Sequence, residues 1–148
     1  MTTQTLQIHA EIADVDRLIF SGPCLKLAAP AAYGEVCILP RHAPLLTALR
    51  PGEIRLQTTE GEDQIFYVSG GYLEVKSDVL TVLADQMLRS HEIDQQSALE
   101  ARDRAEQTLR ETHLFAERDP AKLDLMKALA QLQVLEHSEI HRLKKPSR

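Results

Sequence analysis

The sequence has few aromatic residues, few cysteines and no long apolar run. Its 148 residues include no tryptophan and only 4% aromatic residues, so a hydrophobic core must be mainly aliphatic. The two cysteines, Cys24 and Cys37, form neither a CxxC pair nor a zinc-binding pattern, and we expect reduced, half-buried thiols. No stretch approaches 18 consecutive apolar residues, so no membrane-spanning helix is expected. The first residues lack a basic start and an apolar block, so we expect no secretory signal.

The charge pattern is that of an acidic chain with a basic end. The formal net charge is −5, which argues against nucleic acid as the main partner. The last eight residues, HRLKKPSR, contain four cations and no acid. Cations are favoured near the C-terminal end of a helix, although such a tail could also contact an acidic surface.

The first half of the sequence has the pattern of a β-sheet protein. Alternate residues from Leu6 to Ile12 are apolar, as expected for a half-buried strand. Further short apolar runs lie at residues 24–28, 54–57, 65–68, 72–75 and 79–83. Glycine and proline separate such runs, and we expect breaks at Gly22, Pro23 and Pro30. Many short strands separated by turns indicate a sandwich or a barrel.

From Ile93 onward the pattern changes to that of two helices. Asp94 is a suitable N-cap, and small residues then recur every three or four positions, which favours close approach of a second helix. The second helix is predicted to begin at Asp119 and Pro120 and to extend to about Leu143. The sequence therefore predicts a β-domain over residues 1–87 and a helical hairpin over residues 88–148.

The segment VCILPRHAPLLTALRPG contains the strongest candidate for chemistry, His42 between Pro40 and Pro44. No Cys or Asp partner for it is visible, so a loop residue bonded to the backbone is favoured over a base, a metal ligand or an interface contact. His137 and His141 lie four residues apart but lack a third ligand, so we expect no metal site. No phosphate-binding or nucleophile motif is present, and no catalytic residue is assigned.

Three segments resemble one known family. GEVCILPRHAPLLTALRPG, FYVSGGYLEVKSDVLTVLAD and EIDQQSALEARDRAEQTL are similar to the epsilon subunit of F-type ATP synthases. The resemblance covers essentially the whole chain, and its His-Ala-Pro and Ser-Gly-Gly blocks are specific. It implies an α+β fold, in which an N-terminal antiparallel β-sandwich of about ten strands precedes a C-terminal α-helical hairpin.

The resemblance also implies a role. It predicts a non-catalytic central-stalk, or rotor, subunit without a cofactor, which couples c-ring rotation to the catalytic head of a proton-translocating ATP synthase. The expected partners are the gamma subunit, the polar loops of the c-ring and, when the helices extend, the alpha/beta head. Extended helices inhibit ATP hydrolysis in bacterial members, as expected of an element with two packings. The expected location is peripheral, at the cytoplasmic face of the bacterial inner membrane.

The resemblance assigns residues to these partners by position. The expected c-ring contacts are Tyr33, Gly34 and Glu35. The expected gamma contacts are Asp14, His42 and Thr47. Inhibition is expected to involve the basic residues Lys122, Lys127, Arg142, Lys144 and Lys145.

At two positions the sequence departs from the family pattern. Cys37 replaces a usual glycine, so we expect slightly altered strand geometry there. Arg41 stands where glycine or asparagine is common, and it adds a charge beside the predicted gamma contact.

Some family members bind ATP on the hairpin through an (I/L)-D-x-x-(R/K)-A motif. Here the motif reads IDQQSA: Asp94 is retained, but Ser97 replaces the cation. On the second helix Lys127 is retained, and Gln131 stands one turn later. Two cations are missing, each a contact of roughly 1.5–3 kcal/mol. ATP binding is therefore predicted to be weak or absent. The alternatives are a stand-alone nucleotide-sensing module and a small β-domain enzyme that uses His42.

Overall fold

The computed structural model describes residues 5–145, which form nine β-strands, one short 3-10 helix and two α-helices. The strands are β1 (Ile8–Ala13), β2 (Leu18–Ala31), β3 (Gly34–Ile38), β4 (Leu45–Leu49), β5 (Gly52–Thr58), β6 (Asp63–Val68), β7 (Gly71–Lys76), β8 (Val79–Ala84) and β9 (Met87–Arg89). The 3-10 helix Ser90–Glu92 is followed by α1 (Gln95–Glu111) and α2 (Phe115–Lys144).

The strands form two layers because β2, at 14 residues, is long enough to belong to both. The first sheet consists of β4, β7, β8, β1 and the first half of β2. The second sheet consists of β3, the second half of β2, β5, β6 and β9. If β2 is counted once in each sheet, the predicted sandwich of about ten strands is confirmed. The pairing of β1 with β8 is parallel, so the sandwich is not antiparallel throughout.

The expected breaks at Gly22, Pro23 and Pro30 are wrong, since all three lie inside β2. Pro23 directly precedes the irregular register between Cys24 and Lys26, where the strand passes from one sheet to the other. Proline is tolerated at such irregularities because no ladder hydrogen bond is required of it there. β2 is therefore one continuous strand that joins the two layers.

The core between the sheets is mainly aliphatic, as predicted. Its largest fully buried members include Phe66, Ile8, Ile12, Leu27, Ile38, Ile54, Leu56, Leu73 and Leu80. The expectation of two half-buried thiols is wrong, because Cys24 belongs to this core and Cys37 is exposed. Burial raises the pKa of the Cys24 thiol to about 11. The register of β3 is regular at Cys37, which pairs with Ala28, so the expected change in strand geometry is not observed.

α1 begins as the sequence predicts. The side chain of Asp94 accepts hydrogen bonds from Ser97 N at 3.2 Å and from Ser97 Oγ at 3.0 Å, which caps the helix. These bonds, first that from the Ser97 N–H, lower the pKa of the Asp94 carboxyl. Ala98 and Ala105 are buried on the side of α1 that faces α2, so their small side chains let the two helices approach closely.

α2 begins earlier than predicted. The predicted start at Asp119 and Pro120 is wrong: the helix begins at Phe115, and Pro120 lies inside it. The Arg118 side chain donates to the carbonyls of Leu109 at 2.7 Å and Thr112 at 3.0 Å, which joins the first turn of α2 to the end of α1.

α2 also packs the hairpin onto the second sheet. Tyr67 and Ile93 form a buried cluster with Ala130 and Val134 of α2. This packing covers the outer face of β5 and β6, whereas the outer face of the first sheet carries exposed apolar side chains. Neither α-helix has an apolar stretch long enough to cross a membrane.

Candidate functional site

The three residues assigned to the c-ring lie together at the turn between β2 and β3. Tyr33 lies at the tip of this turn, and its side chain is fully exposed. Gly34 follows with φ of 135°, a conformation that favours glycine. Glu35 is exposed, and its Oε1 accepts a hydrogen bond from Arg55 Nη2 at 2.8 Å. The turn therefore presents an aromatic ring and a carboxylate side by side.

His42 lies in the loop between β3 and β4 and contacts the backbone. Its N–H donates to the Leu39 carbonyl at 3.1 Å, and its Nδ1 lies 2.7 Å from the Ala43 carbonyl oxygen. Among residues 5–145, no acidic or hydroxyl side chain bonds to its ring. The backbone bonds expected of a loop histidine are therefore present, and the gamma contact of His42 stays a prediction.

Arg41, beside it, has a left-handed backbone conformation. Its φ is 65°, which explains why glycine or asparagine suits this position better. The Arg41 N–H donates to Asp78 Oδ1 at 2.9 Å, and Asp78 lies in the turn between β7 and β8. This bond fixes the His42 loop to the neighbouring turn and leaves the Arg41 side chain exposed.

The carboxylate of Asp14 is directed into the protein. Oδ1 accepts from the N–H groups of Asp16 at 2.9 Å and Arg17 at 3.0 Å, and Oδ2 accepts from that of Met87 at 3.4 Å. Burial by itself raises the pKa of Asp14, but these bonds and the Arg17 charge outweigh it, so the pKa is lowered. Arg17 also bonds to Glu92 and, at 3.2 Å, to the Met87 carbonyl. Asp14 thus joins the β1–β2 turn to the segment that leads into the hairpin.

Thr47 lies in the middle of β4, partly buried, and its hydroxyl donates to the Ala48 carbonyl at 3.1 Å. Of the three residues assigned to gamma, only Thr47 lies on a strand of the first sheet, and His42 and Asp14 lie in loops beside that sheet. His42 lies near the β7–β8 turn, at the start of β8. Asp14 lies near the other end of β8, because the preceding residue, Ala13, pairs with Leu83. The three residues therefore do not form a single site on the outer face of the first sheet.

That surface contains an apolar group that the sequence reasoning missed. We call it the outer patch, and it consists of Leu46, Ala48, Tyr72 and Leu83. Ala48 pairs with Tyr72, and Tyr72 pairs with Leu83, so these three residues form one row across β4, β7 and β8. Leu46 lies two residues before Ala48 on the same face of β4. Leu46, Tyr72 and Leu83 are 70%, 62% and 60% exposed, which is unusual for large apolar side chains in a sheet. The sequence does contain a signal for this patch. A strand buried on one face alternates apolar and polar residues, whereas Leu45 with Leu46 and Val82 with Leu83 are consecutive apolar residues, so one of each pair faces outward.

A cleft of about 780 Å³ lies between α1 and α2. Ser97, Lys127 and Gln131 line it, as the family motif implies, but Asp94 is not among the lining residues. Arg104 also lines the cleft, and the sequence reasoning did not consider it. The cleft therefore has two cations rather than one.

The basic residues assigned to inhibition are not brought together. Lys122 is exposed in the first half of α2, and Lys127 lines the cleft. Arg142, Lys144 and Lys145 lie at the C-terminal end of the helix or just beyond it, about 22 Å or more from Lys127 at 1.5 Å per residue. They therefore form two separate cationic regions along one long helix.

An acidic side chain lies buried where α2 packs on the second sheet. The side chain of Glu53, on β5, is only 5% exposed, and its Oε2 lies 2.7 Å from His137 Nδ1 on α2. Glu53 Oε1 has no hydrogen-bond partner within residues 5–145 and lies 3.5 Å from Arg55 Nη1. His137 is thus paired with an acid. In the described part of the chain, no group of three or more His, Cys, Asp or Glu side chains could hold a metal ion.

Two family profiles match this chain. The β-sandwich domain of the ATP synthase Delta/Epsilon chain matches residues 7–90, and its long alpha-helix domain matches residues 91–136. The chain therefore belongs to the ATP synthase Delta/Epsilon chain family.

Within that family the similar proteins are epsilon chains. The ATP synthase epsilon chain of Nitrosococcus oceani is 47% identical over 131 residues, which cover 88% of this chain and 94% of the relative. That of Alkalilimnicola ehrlichii is 45% identical over 87% of this chain and 92% of the relative.

Solved structures share the fold at lower identity. A chain of the Euglena gracilis mitochondrial ATP synthase, in a structure of OSCP, F1 and c-ring, has a TM-score of 0.76 and 21% identity. The match covers 89% of this chain and 81% of that one. A chain from the central stalk and c-ring of the Tetrahymena thermophila enzyme has a TM-score of 0.60 and 13% identity, over 91% and 99% of the two chains.

Proposed function

We propose that this chain is the non-catalytic rotor subunit of an F-type ATP synthase and that its outer patch binds the gamma subunit. The outer patch is the observation that carries the proposal. Contiguous exposed apolar side chains, rimmed by polar ones, mark protein interaction sites. Glu74, which is exposed, pairs with Leu46 across the strands and lies two residues from Tyr72 on β7, so it supplies a polar edge to the patch. Relatives that are epsilon chains support this assignment.

The β2–β3 turn is the proposed contact with the polar loops of the c-ring. Tyr33 offers a large exposed ring, and Glu35 offers a carboxylate that already bonds to a guanidinium. An aromatic residue beside an acid suits a polar partner loop, since aromatic residues are enriched in interfaces and the charge adds orientation. A chain from the central stalk and c-ring of the Tetrahymena thermophila enzyme has a similar fold, which is consistent with this placement.

The helical hairpin is the proposed regulatory part. It contacts the second sheet through a small buried cluster, so release from the sandwich requires the loss of few contacts. Two packings that differ by a few kcal/mol form a switch. Once released, the cationic regions of α2 would face the alpha/beta head and oppose ATP hydrolysis. The proposed location is peripheral, at the membrane face that carries the catalytic head.

A charge in the outer patch tests the gamma contact. We expect Leu83→Asp to weaken binding to the gamma subunit by at least tenfold, about 1.4 kcal/mol, because an unpaired carboxylate would be buried in an apolar interface. Binding is measured by calorimetry with purified full-length proteins. Leu143→Asp is the matched control, since Leu143 is another exposed leucine and lies at the end of α2, away from the outer patch. Unchanged binding by a folded Leu83→Asp protein would contradict the proposal.

Removal of the hairpin tests the regulatory role. Truncation after Glu92 keeps β9 and the Arg17–Glu92 ion pair, so the sandwich retains its contacts. ATP hydrolysis by the assembled complex is expected to increase on truncation. If the rate does not change, the hairpin does not inhibit and only the coupling role remains.

We also propose that the hairpin cleft binds ATP weakly or not at all. Ser97 offers no charge, and the two lining cations are Arg104 and Lys127. Arg104 is the observation that favours the alternative of nucleotide sensing. Calorimetric titration of the full chain with ATP distinguishes the two, with Lys127→Ala as control. A submillimolar dissociation constant that is lost in Lys127→Ala would favour the sensing module.

A further inference from the structure

We propose that Glu35, Arg55, Glu53 and His137 form a charged network that couples the β2–β3 turn to the packed position of α2. Arg55 is shared: Nη2 donates to Glu35 at 2.8 Å, and Nη1 lies 3.5 Å from Glu53 Oε1. Glu53 in turn bonds to His137 at 2.7 Å. The network therefore runs from an exposed turn, across two strands, to the helix. That the turn faces the c-ring and that the hairpin can leave the sandwich both rest on the proposed function.

Glu53 is the group whose environment depends on α2. Its side chain is 5% exposed because the helix covers the face of β5 on which it lies. A buried carboxylate is stable only if its oxygens are paired or bonded. His137 supplies one bond, and the second oxygen has no hydrogen-bond partner among the described residues. When the helix leaves, water can hydrate the Glu53 carboxylate, which then no longer requires His137 or Arg55 to stabilise its charge.

The guanidinium of Arg55 lies close to two carboxylates, those of Glu35 and Glu53. Glu35 holds one of its nitrogens at hydrogen-bond distance, and Glu53 is held less closely. Both Arg55 and Glu35 line a cavity of about 240 Å³, so the guanidinium has room to turn. Lys26, Cys37, Asp63 and His141 also line that cavity and are the other charged or titratable groups beside it.

The direction of the coupling follows from this competition. If the Glu35 carboxylate is neutralised or engaged by a partner, Arg55 can give its second bond to the buried Glu53. That bond stabilises the packed state more than the released state, in which Glu53 is hydrated. Engagement of Glu35 therefore favours a packed hairpin, and a disengaged Glu35 favours its release.

The test measures the ratio of released to packed hairpin in the isolated full-length chain, without gamma or ring. Methyl and amide NMR signals of Leu88 and Tyr67, at the packing cluster, report the two states. All proteins carry Val134→Ala, which weakens packing so that both states are populated. Because gamma and the ring are absent, a failure of the proposed gamma and c-ring contacts would not change this result, and a failure of the coupling would leave those contacts intact.

His137→Ala is expected to raise the released-to-packed ratio roughly 5–30-fold, because it removes a bond from a buried acid. His137→Gln should restore most of the packing, since its amide can donate to Glu53. Gln133→Ala, an exposed position one turn earlier, is the matched control and should have little effect. If His137→Ala and Gln133→Ala behave alike, or if glutamine does not rescue, the network is not the contact that holds the helix.

Glu35→Gln is the decisive variant. It is expected to lower the ratio about twofold to fivefold, since Arg55 is released to Glu53. Glu60→Gln, the same change at an exposed turn acid, should leave the ratio unchanged. In an Arg55→Gln background, Glu35→Gln should have no effect. An increase in the ratio, equality with Glu60→Gln, or the same decrease without Arg55 would each overturn the coupling.

Discussion

The sandwich and the hairpin are held together by interiors of very different size. Within residues 5–145, the core between the two sheets contains 18 buried residues, whereas the cluster that fixes the hairpin contains four, Tyr67, Ile93, Ala130 and Val134. Buried apolar area sets most of the stabilising free energy. The difference teaches that one chain can combine a rigid docking body with an element that detaches at little cost.

The largest expected effect is a loss of stability in the sandwich core, and its absence would contradict this comparison. Phe66→Ala removes a fully buried ring from the sandwich core and should lower the free energy of unfolding by about 3–5 kcal/mol. Chemical denaturation followed by circular dichroism measures it. Phe115→Ala is the matched control, since that ring is 82% exposed at the start of α2. Equal losses for the two variants would show that the sandwich core does not dominate stability.

A smaller effect is expected at the junction between the two regions. Asp14→Ala leaves the N–H groups of Asp16, Arg17 and Met87 without their acceptor and should cost about 2 kcal/mol. Denaturation at neutral pH measures the difference from the unchanged chain. Asp16→Ala, an exposed acid in the same turn, is the control.

The pH dependence of that difference has a definite sign. Folding lowers the pKa of Asp14 below its ordinary value of 3.8, so the folded state favours the carboxylate. Its contribution to stability is complete above the ordinary pKa and is lost as the pH falls through the folded pKa. The cost of Asp14→Ala should therefore shrink between neutral pH and about pH 3. A cost that grows on acidification would contradict the assigned role of the carboxylate.

The hairpin cluster should show a smaller effect that is confined to packing. Val134→Ala removes apolar contacts at a fully buried site and should weaken the packing of α2 by about 1.5 kcal/mol. The released fraction, followed by NMR, should increase, while the denaturation midpoint of the sandwich stays the same. Leu129→Ala, at a half-exposed site on the same helix, is the control. A parallel loss of sandwich stability would mean that the two regions are one cooperative unit.

Much of the fold was predictable because it depends on local patterns. Alternation marked the strands, and Asp94 three residues before Ser97 marked the start of α1. The exceptions depend on contacts between distant residues. Pro23 lies within a strand because the strand changes sheets there, and α2 begins before Pro120, in the turn where Arg118 bonds to the end of α1.

The site was predictable in the same uneven way. The resemblance pointed to the β2–β3 turn, where Tyr33 and Glu35 do lie together. The outer patch needed the register of three strands, which sequence spacing does not provide. The pair of Glu53 and His137 joins residues 84 positions apart, so no local pattern could reveal it.

The smallest expected effect lies in the sandwich at Arg41. A left-handed conformation costs a non-glycine residue about 1–2 kcal/mol, and φ at Arg41 is 65°. Glycine relieves that strain but loses about 0.5–1 kcal/mol of backbone entropy on folding, so Arg41→Gly should stabilise the sandwich by about 0.5 kcal/mol. Denaturation midpoints measure this, and hairpin release should not change, because the N–H bond to Asp78 is kept. Arg41→Ala keeps the strain and should not be stabilised. If alanine stabilises as much as glycine, the backbone is not strained at this position, and the cost belongs to the arginine side chain.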